Sequence, residues 1–246
     1  MYKKPVIYAM IPARFGSTRL KMKNLALIDG KPMISYAINA ARESHIFDRI
    51  IVNSEHNIFQ EIAERYGVDF YQRPEDLATS KAKSDSVVVN FMNMYPEADI
   101  VVWVNPISPF QTGKEVLDVV NYFVKNKLDS LITVEEMQVH CNFNNEPVNY
   151  DKNEEFSQTQ DLTKIYPFVY SIMMWRKETF LEEFFNKGHA LFCGKFKTYP
   201  VSKISGIIIK TADDLKLADL MMRSMNNLKS VNSVEYDVLV NNQYKK

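Results

Sequence analysis

The stretch Asp99-Ile-Val-Val-Trp-Val-Asn105 is the most strand-like run of the chain. Its consecutive apolar residues present no polar face, which is typical of a strand that is covered on both sides in a parallel sheet. The sequence therefore predicts a central strand at residues 99–105. Helical patterns precede and follow it at residues 84–94 and 113–125, so helix and strand alternate around this run.

The same alternation extends outward over the chain. Further strands are predicted at residues 5–10, 49–53, 68–71, 130–134, 166–175, 197–201 and 206–210. Further helices are predicted at residues 32–44, 57–66, 180–186 and 212–224. This alternation favours βαβ units and hence an α/β fold with a doubly wound, mostly parallel sheet. Because ligands bind at the carboxyl ends of the strands in such sheets, we expect a site in the loops after Met10, Asn53 and Asn105.

Composition and charge argue against several classes of protein. The 246 residues are 46% apolar and 24% charged, and 30 Lys and Arg residues balance 30 Asp and Glu residues. A neutral chain has no overall field that would attract nucleic acid or an anionic membrane surface. The two cysteines, Cys141 and Cys193, provide neither a disulfide framework nor the spacing of zinc ligands.

The chain shows no pattern typical of export or membrane insertion. Its first residues lack a long apolar segment followed by small residues. No stretch approaches the roughly 20 apolar residues that a membrane span needs. We therefore expect a cytoplasmic protein whose partners are small molecules, with no nucleic acid and no membrane among them.

One domain is expected to span residues 1–246, with an excursion from the sheet at about residues 140–175. Residues 142–161 are rich in Asn, Glu, Asp and Gln and show little periodicity, and an apolar strand then returns to the sheet. Excursions of this kind are lids or dimerisation arms.

The loop after the first strand carries the clearest chemical signal. Its sequence is Pro12-Ala-Arg14-Phe-Gly16-Ser-Thr-Arg19-Leu-Lys-Met-Lys23-Asn24. Gly16, Ser17 and Thr18 permit close approach of backbone N–H groups to a ligand, and the cations of the loop neutralise the charge of a triphosphate. The loop lacks the Lys-Ser/Thr step of a P-loop. On residue types alone, a solvated basic turn is an equally good interpretation.

The order of residues in this loop adds a resemblance. Ile11-Pro-Ala-Arg-x-Gly-Ser-x-Arg-Leu-x-x-Lys-Asn-Leu25, followed by Asp29-Gly-Lys-Pro-Met33, closely resembles the opening of the CMP-sugar-acid synthetases. These cytidylyltransferases activate sialic acids and 3-deoxy-manno-octulosonate. Weaker similarities at residues 72–78, 99–109 and 202–215 extend the resemblance over most of the chain.

The resemblance implies a Rossmann-like nucleotidyltransferase fold, Mg²⁺ as a cofactor and a homodimer formed through the excursion. It implies transfer of CMP from CTP to a small anionic acceptor, a sialic-acid-like or other sugar acid, with release of pyrophosphate. Such a step would serve surface polysaccharide biosynthesis.

The same resemblance assigns site residues. The implied nucleotide-binding residues are Ala13, Arg14, Gly16, Ser17, Arg19, Lys23, Asn24 and Arg73. The implied acceptor-binding residues are Asn105, Ser108 and Gln160. Arg14 and Lys23 of the loop are candidates for catalytic groups, and so is Lys210, the residue that most distinguishes this chain from the resembled family.

The chain departs from the resembled family at the metal site. In the sialate synthetases, aspartates of a late Ile-Asp-Ile-Asp-Thr motif hold the divalent cation. This chain has Ile207-Ile-Ile-Lys-Thr211 there, so Ile208 and Lys210 occupy the aspartate positions. In addition, Val169-Tyr-Ser171 replaces the family's Asn-Gly-Ala before the returning strand.

Three interpretations of these departures are open. In the first, Lys210 replaces the charge of the metal, or the metal lies on triphosphate oxygens with one remote carboxylate, Asp213 or Asp214. In the second, the acceptor is a phosphorylated or phosphonate small molecule that brings its own nucleophilic oxygen. In the third, the protein binds a nucleotide without catalysis.

Overall fold

The computed structural model describes residues 4–17 and 19–227. The strands in this part of the chain are β1 Ile7–Pro12, β2 Leu27–Ile28, β3 Lys31–Pro32, β4 Arg49–Ser54, β5 Asp69–Gln72, β6 Ile100–Val104, β7 Ser130–Glu135, β8 Asn142–Phe143, β9 Glu146–Pro147, β10 Phe168–Arg176 and β11 Phe196–Val201. The β2–β3 and β8–β9 pairs stand apart, and the other strands form one seven-stranded sheet.

The strand order of the main sheet is β11-β7-β10-β6-β1-β4-β5. Pairing is parallel between β6 and β1, β1 and β4, β4 and β5, and β7 and β11. The exception is β10, which runs antiparallel between β6 and β7. This sheet confirms the predicted α/β fold class, and β6 lies at its centre as the apolar run at residues 99–105 predicts.

The helices are α1 Ile34–Glu43, α2 Ile58–Tyr66, α3 Ser84–Met94, α4 Gly113–Lys125, α5 Lys177–Lys187 and α6 Ala212–Asn227. Two predicted helices match α3 and α4 residue for residue. The predicted stop of α2 is also confirmed, because Gly67 ends this helix in the left-handed conformation with a φ of 64°. Among the residues described, no helix is long and apolar enough to cross a membrane.

Helices cover both faces of the sheet. Val102 and Val104 of β6 belong to a core shared with α1, α2 and α4. Val101 and Trp103 belong to the opposite core, shared with α3 and α5. Because successive side chains of a strand point to opposite faces, a strand without a polar face needs helices on both sides. The sheet is therefore doubly wound, as expected.

The predicted strand at residues 206–210 is wrong. The N–H groups of Gly206 and Ile207 donate to carbonyls four and three residues earlier, at 2.9 and 3.1 Å, which are turn contacts. Ile209 is fully buried in a third core with residues of α6 and β2, and its N–H donates to the carbonyl of Ile107 at 2.8 Å. Burial of the Ile209 side chain and this single backbone bond, rather than strand pairing, hold the segment in place.

The chain between β7 and β10 leaves the main sheet. It contains the β8–β9 pair and a 3₁₀ helix at Thr159–Asp161, and a bridge between Met137 and Ile165 joins its two ends. Since β10 belongs to the main sheet from Phe168 onward, the excursion ends before that residue rather than near residue 175. Its role as a dimerisation arm stays a prediction.

Candidate functional site

A cavity of ≈ 320 Å³ opens at the carboxyl ends of β1 and β6. It is lined by Pro12, Arg14, Ser17, Arg19, Lys23, Asn24, Arg73, Leu77, Thr79, Ser80, Ala82, Ser84, Val87, Trp103, Asn105 and Ile107. Four of these side chains are cations, and none of these described lining residues is a carboxylate. The cavity therefore favours an anion, and it lies at the edge of the sheet where ligands bind in doubly wound folds.

The loop after β1 is drawn together by Asn24. The buried Asn24 amide donates to the carbonyl of Arg14 at 3.3 Å. Asn24 also belongs to a short 3₁₀ helix, Lys23–Leu25. The bond joins the two ends of the loop, so that its cations face one cavity. Thr18, which was expected to contribute to this loop, lies outside the described residues.

Most of the residues expected to bind a nucleotide meet at this cavity. Six of the eight line it, namely Arg14, Ser17, Arg19, Lys23, Asn24 and Arg73. The remaining two do not line it. Ala13 is buried and donates its N–H to the carbonyl of Asn53 at 2.9 Å, and Gly16 is exposed. The structure thus gathers Arg14, Arg19 and Lys23 of the loop at one cavity, while their role toward a nucleotide stays a prediction.

Lys23 connects the loop to the segment before α6. Its Nζ donates to the carbonyl of Ile209 at 3.2 Å. Burial, aided by neighbouring positive charge, lowers the pKa of Lys23 to about 8. The neighbouring cations that contribute are Arg19, Arg14 and Lys210. Because a bound phosphate would relieve this repulsion, the site is electrostatically prepared for an anion.

The backbone of Lys210 is held by the start of α6, and its side chain does not line the cavity. The N–H groups of Lys210 and Thr211 donate to Asp214 Oδ2 at 2.9 and 2.8 Å. In return, the Asp214 N–H donates to Thr211 Oγ1 at 3.2 Å. This reciprocal capping fixes the backbone that precedes the helix. Lys210 is exposed and directly follows Ile209, the residue that binds Lys23.

A buried ion pair supports the second wall of the cavity. Arg73 Nη2 lies 3.2 Å from Glu55 Oε2, and only 4% and 13% of the two side chains are exposed. The other oxygen, Glu55 Oε1, accepts the N–H of Phe15 at 2.7 Å. Burial lowers the pKa of Arg73, and Glu55 opposes that shift. One carboxylate therefore holds Arg73 and the loop after β1 together.

Asn105 is held in the cavity wall by β10. Its Nδ2 donates to the carbonyl of Tyr170 at 3.1 Å, and its N–H donates to the carbonyl of Ser171 at 2.9 Å. The register of β10 shifts here, and Tyr170 has a φ of 56°. This left-handed conformation costs an L-residue about 1–2 kcal/mol. The strained position is the one at which the resembled Asn-Gly-Ala motif has glycine.

The other two expected acceptor residues do not line the cavity. Ser108 is 1% exposed, and its hydroxyl donates to the carbonyl of Ser205 at 2.6 Å. Gln160 lies exposed in the excursion, where its carbonyl accepts from Gln138 Nε2 at 2.7 Å. Ser108 supports the loop after β6, and a role of Gln160 toward an acceptor stays a prediction.

The sequence profile of the family described as Cytidylyltransferase matches residues 8–191. The chain belongs to the cytidylyltransferase family. The matched residues include the loop after β1, the Glu55–Arg73 pair and Asn105. Lys210 lies beyond them.

Three curated relatives show how this cytidylyltransferase chain compares with known members. The N-acylneuraminate cytidylyltransferase of Escherichia coli O18:K1:H7 is 37% identical over 117 residues, which are 48% of this chain and 28% of that protein. The enzyme of the same name from Streptococcus agalactiae serotype V is 28% identical over 222 residues, 86% of this chain and 51% of its own. The chain therefore spans about half the length of the Streptococcus agalactiae enzyme and less than a third of the Escherichia coli enzyme.

A third relative has nearly the same length as the matched region. The pseudaminic acid cytidylyltransferase of Campylobacter jejuni is 27% identical over 225 residues, which are 87% of this chain and 95% of that protein. At these moderate identities the chain is a divergent member of the cytidylyltransferase family.

Two solved structures share the fold. The CMP:2-keto-3-deoxy-manno-octonic acid synthetase complexed with CTP superposes with a TM-score of 0.67 at 16% identity, covering 89% of this chain and 99% of its own. The 4-diphosphocytidyl-2C-methyl-D-erythritol synthase of Anaerococcus prevotii gives a TM-score of 0.62, also at 16% identity, with the same coverage. At this identity, the likeness confirms the Rossmann-like nucleotidyltransferase fold.

The side chains around the cavity of this family member do not fit a protein-held divalent cation. Within the described part of the chain, no three His, Cys, Asp or Glu side chains are grouped as metal ligands. Asp214 caps α6, and Asp213 is 93% exposed and lies 3.5 Å from Lys216. Carboxylates are the usual protein ligands of Mg²⁺, so the expected cofactor has no ligand set here.

Sequence reasoning missed part of the cavity. Trp103 was predicted to be a core residue, but it also lines the cavity, and its Nε1 is buried without a partner among the described residues. The resemblance at residues 72–78 reaches only the start of the wall formed by residues 77–84, and the Thr, Ser and Ala residues that follow carry no distinctive signal. Glu55 does not line the cavity but supports Arg73, which does. Its position directly after β4, at the carboxyl edge of the sheet, is a signal that could have identified it.

A larger depression of ≈ 770 Å³ lies elsewhere, at the amino ends of β4 and β5. It is lined by residues that include Arg49 and Asp69, whose side chains already form an ion pair at 2.7 Å. Because ligands of doubly wound sheets bind at the carboxyl ends of the strands, the smaller cavity is the candidate site.

The substitution Glu55→Gln tests the buried ion pair. It removes the negative charge that compensates Arg73, so we expect the free energy of unfolding to fall by about 3 kcal/mol. Urea denaturation measures the effect. The matched control is Glu182→Gln on the exposed side of α5, which should change stability by less than about 0.5 kcal/mol.

The double variant Glu55→Gln with Arg73→Met completes this test. Removing the buried cation as well should recover much of the lost stability. An unchanged urea midpoint for Glu55→Gln alone would show that the pair does not hold the two loops.

Proposed function

We propose that the chain transfers CMP from CTP to a small anionic acceptor and releases pyrophosphate. The observation that carries this proposal is the cavity at the ends of β1 and β6, in which Arg14, Arg19 and Lys23 of a cytidylyltransferase-family loop converge. Both the anionic substrate and the pyrophosphate that leaves need such a concentration of positive charge.

The loop after β1 would hold the triphosphate. Arg14 and Arg19 offer forked contacts to phosphate oxygens, and Lys23 acts as a point charge at the bottom of the loop. Ser17 and the backbone around it would position the phosphates. Asn24, whose amide already supports the loop, would help to fix the nucleotide.

The wall opposite the loop suits the nucleoside. It combines the apolar side chains of Leu77 and Val87 with hydroxyl and backbone groups at Thr79, Ser80 and Ser84. Apolar surface with a few convergent polar groups is the usual environment of a bound heterocycle. Arg73, fixed by Glu55, stands between this wall and the phosphate loop.

The chemistry would be a displacement at the α-phosphorus. An acceptor oxygen attacks this atom, the bond to the β-phosphate breaks, and pyrophosphate leaves with the electron pair. Negative charge builds up on the phosphate oxygens as this happens. Arg14, Lys23 and Lys210 would stabilise that charge, which makes them the proposed catalytic groups.

The acceptor would be a sugar acid related to sialic acid. This finer proposal is supported by the two relatives whose names contain N-acylneuraminate and pseudaminic acid. Asn105 and Trp103 line the part of the cavity at the end of β6, and each has polar hydrogen-bonding atoms. A phosphorylated or phosphonate acceptor is the alternative, because the cations would attract these anions equally well.

A homodimer is part of the proposal. The excursion exposes large apolar side chains, among them Phe143 and Phe156, of which 72% and 80% are accessible. Isolated chains rarely expose such groups close together. A second copy of the chain would cover them.

A second candidate function is nucleotide binding without turnover. The observation that favours it is the occupation of the family's aspartate positions by Ile208 and Lys210. An isoleucine has no metal-binding atom, and a lysine repels a cation.

Pyrophosphate release tests the proposal. Each of the four nucleoside triphosphates is combined with sugar acids, sugar phosphates and phosphonates, with and without Mg²⁺, while calorimetry records CTP binding. We expect release with CTP and a sugar acid. CTP binding without release for any acceptor would support the second candidate, and absence of both would contradict the proposed function.

The pKa of Lys23 predicts how CTP binding depends on pH. In the free protein the ammonium is charged below a pKa of about 8 and neutral above it. CTP affinity should therefore fall as the pH rises through this value, by up to about tenfold per unit, and binding should take up protons there. Calorimetry in buffers of different ionisation enthalpy measures both effects.

The control for this prediction is Lys23→Arg, which stays charged over the whole range. Its affinity should show no decline at this pH. A wild-type affinity that is unchanged well above the pKa would show that Lys23 does not bind the triphosphate.

A further inference from the structure

We infer that the chain binds CTP as the metal-free triphosphate, with Lys210 and the cations of the loop after β1 in the place of a protein-held divalent cation. The inference rests on the proposed function and concerns the same cavity. Two observations support it. Lys23 contacts Ile209, the residue before Lys210, and the nearby carboxylates already have hydrogen-bond or ion-pair partners.

The first step is the position of Lys210. The Ile209 side chain is fully buried in the core with α6, and its carbonyl accepts the Lys23 ammonium at 3.2 Å. The capping bonds to Asp214 hold the next residue, Lys210, by its N–H. The Lys23 ammonium is thereby fixed against the residue that precedes Lys210. The exposed Lys210 side chain does not line the cavity, but its charge is close enough to help lower the pKa of Lys23.

The second step is the state of the carboxylates. Glu55 Oε1 and Oε2 contact the Phe15 N–H and Arg73, respectively. Asp214 Oδ2 accepts two backbone N–H groups, and Asp213 is almost fully exposed beside Lys216. None of these three side chains lines the cavity. A cation brought with CTP would therefore find no free protein carboxylate among the described residues of the cavity wall.

The third step is the balance of charge. Mg²⁺ in nucleotide sites is held jointly by phosphates and by one or two carboxylates. Here the phosphates would meet Arg14, Arg19, Lys23 and Lys210 instead. A divalent cation on the same phosphates would be repelled by these groups at short range. The geometry thus favours the free anion over its magnesium complex.

Calorimetry with CTP tests the inference, once with EDTA and once with excess MgCl₂. We expect the wild-type chain to bind CTP at least as tightly in EDTA as in excess MgCl₂. For Lys210→Asp we expect an affinity in EDTA that is lower by about tenfold or more, and a partial recovery with Mg²⁺. The double variant Ile208→Asp with Lys210→Asp, which places carboxylates at both positions, should bind CTP more tightly with Mg²⁺ than without.

The matched control is Lys197→Asp, the same change of charge on an exposed residue of the edge strand β11. It should leave both affinities unchanged. Circular dichroism checks that each variant is folded. If Lys210→Asp is unstable, Lys210→Met takes its place. This variant removes the positive charge without adding a negative one, and it should also bind CTP more weakly in EDTA.

The outcomes separate the two proposals. Tighter binding of CTP by the wild-type chain with Mg²⁺ would overturn this inference and leave the proposed function intact. The inference would also be overturned if the Lys210 variants bind CTP in EDTA as tightly as the wild-type chain does. No CTP binding in either condition would contradict the proposed function itself.

Discussion

The carboxylate of Glu55 is the contact on which the candidate site depends. It follows directly from β4, yet it holds two segments that belong to other strands, the loop after β1 and the loop after β5. Such a group is stabilising only while both of its oxygens have partners, because an unpaired charge in this setting is costly. The carboxylate that compensates the buried Arg73 thus also ties the loop after β1 to the loop after β5.

A second constraint comes from the far end of the chain. The buried Ile209 places a backbone carbonyl against Lys23, and the capping of α6 fixes the residue that follows. The cavity is therefore assembled from cations whose mutual repulsion is overcome by packing and hydrogen bonds elsewhere. Pre-arranged positive charge of this kind binds a polyanion without first having to reorganise. The replacement of the resembled metal-binding aspartates by Ile208 and Lys210 is thus consistent with the proposed binding of CTP without a protein-held divalent cation.

Much of the fold follows from local pattern. The apolar run at residues 99–105 predicts the central strand because a strand without a polar face must be covered twice, and the helix at residues 113–125 carries clear 3.6-residue periodicity. The segment 206–210 has an equally apolar composition, and there the prediction failed. One of its side chains, Ile209, is buried against residues of α6 and β2, which a local pattern does not reveal.

The site was predicted in part. The cations of the loop after β1 could be identified because their order resembles a family motif, and the structure brings them together. The sequence does not reveal that Ser108 is buried rather than exposed to the cavity, because its hydroxyl bonds to Ser205, nearly a hundred positions away. Trp103 has the pattern of a core residue and is one, but strand β6 ends so soon after it that the side chain also reaches the cavity.

The most direct test of the account is a crystal structure of the chain grown with CTP and EDTA. We expect the triphosphate to contact Arg14, Arg19 and Lys23, with Lys210 beside it, and the nucleoside to lie along residues 77–84. A triphosphate bound elsewhere, for example in the larger depression at the amino ends of β4 and β5, would contradict it.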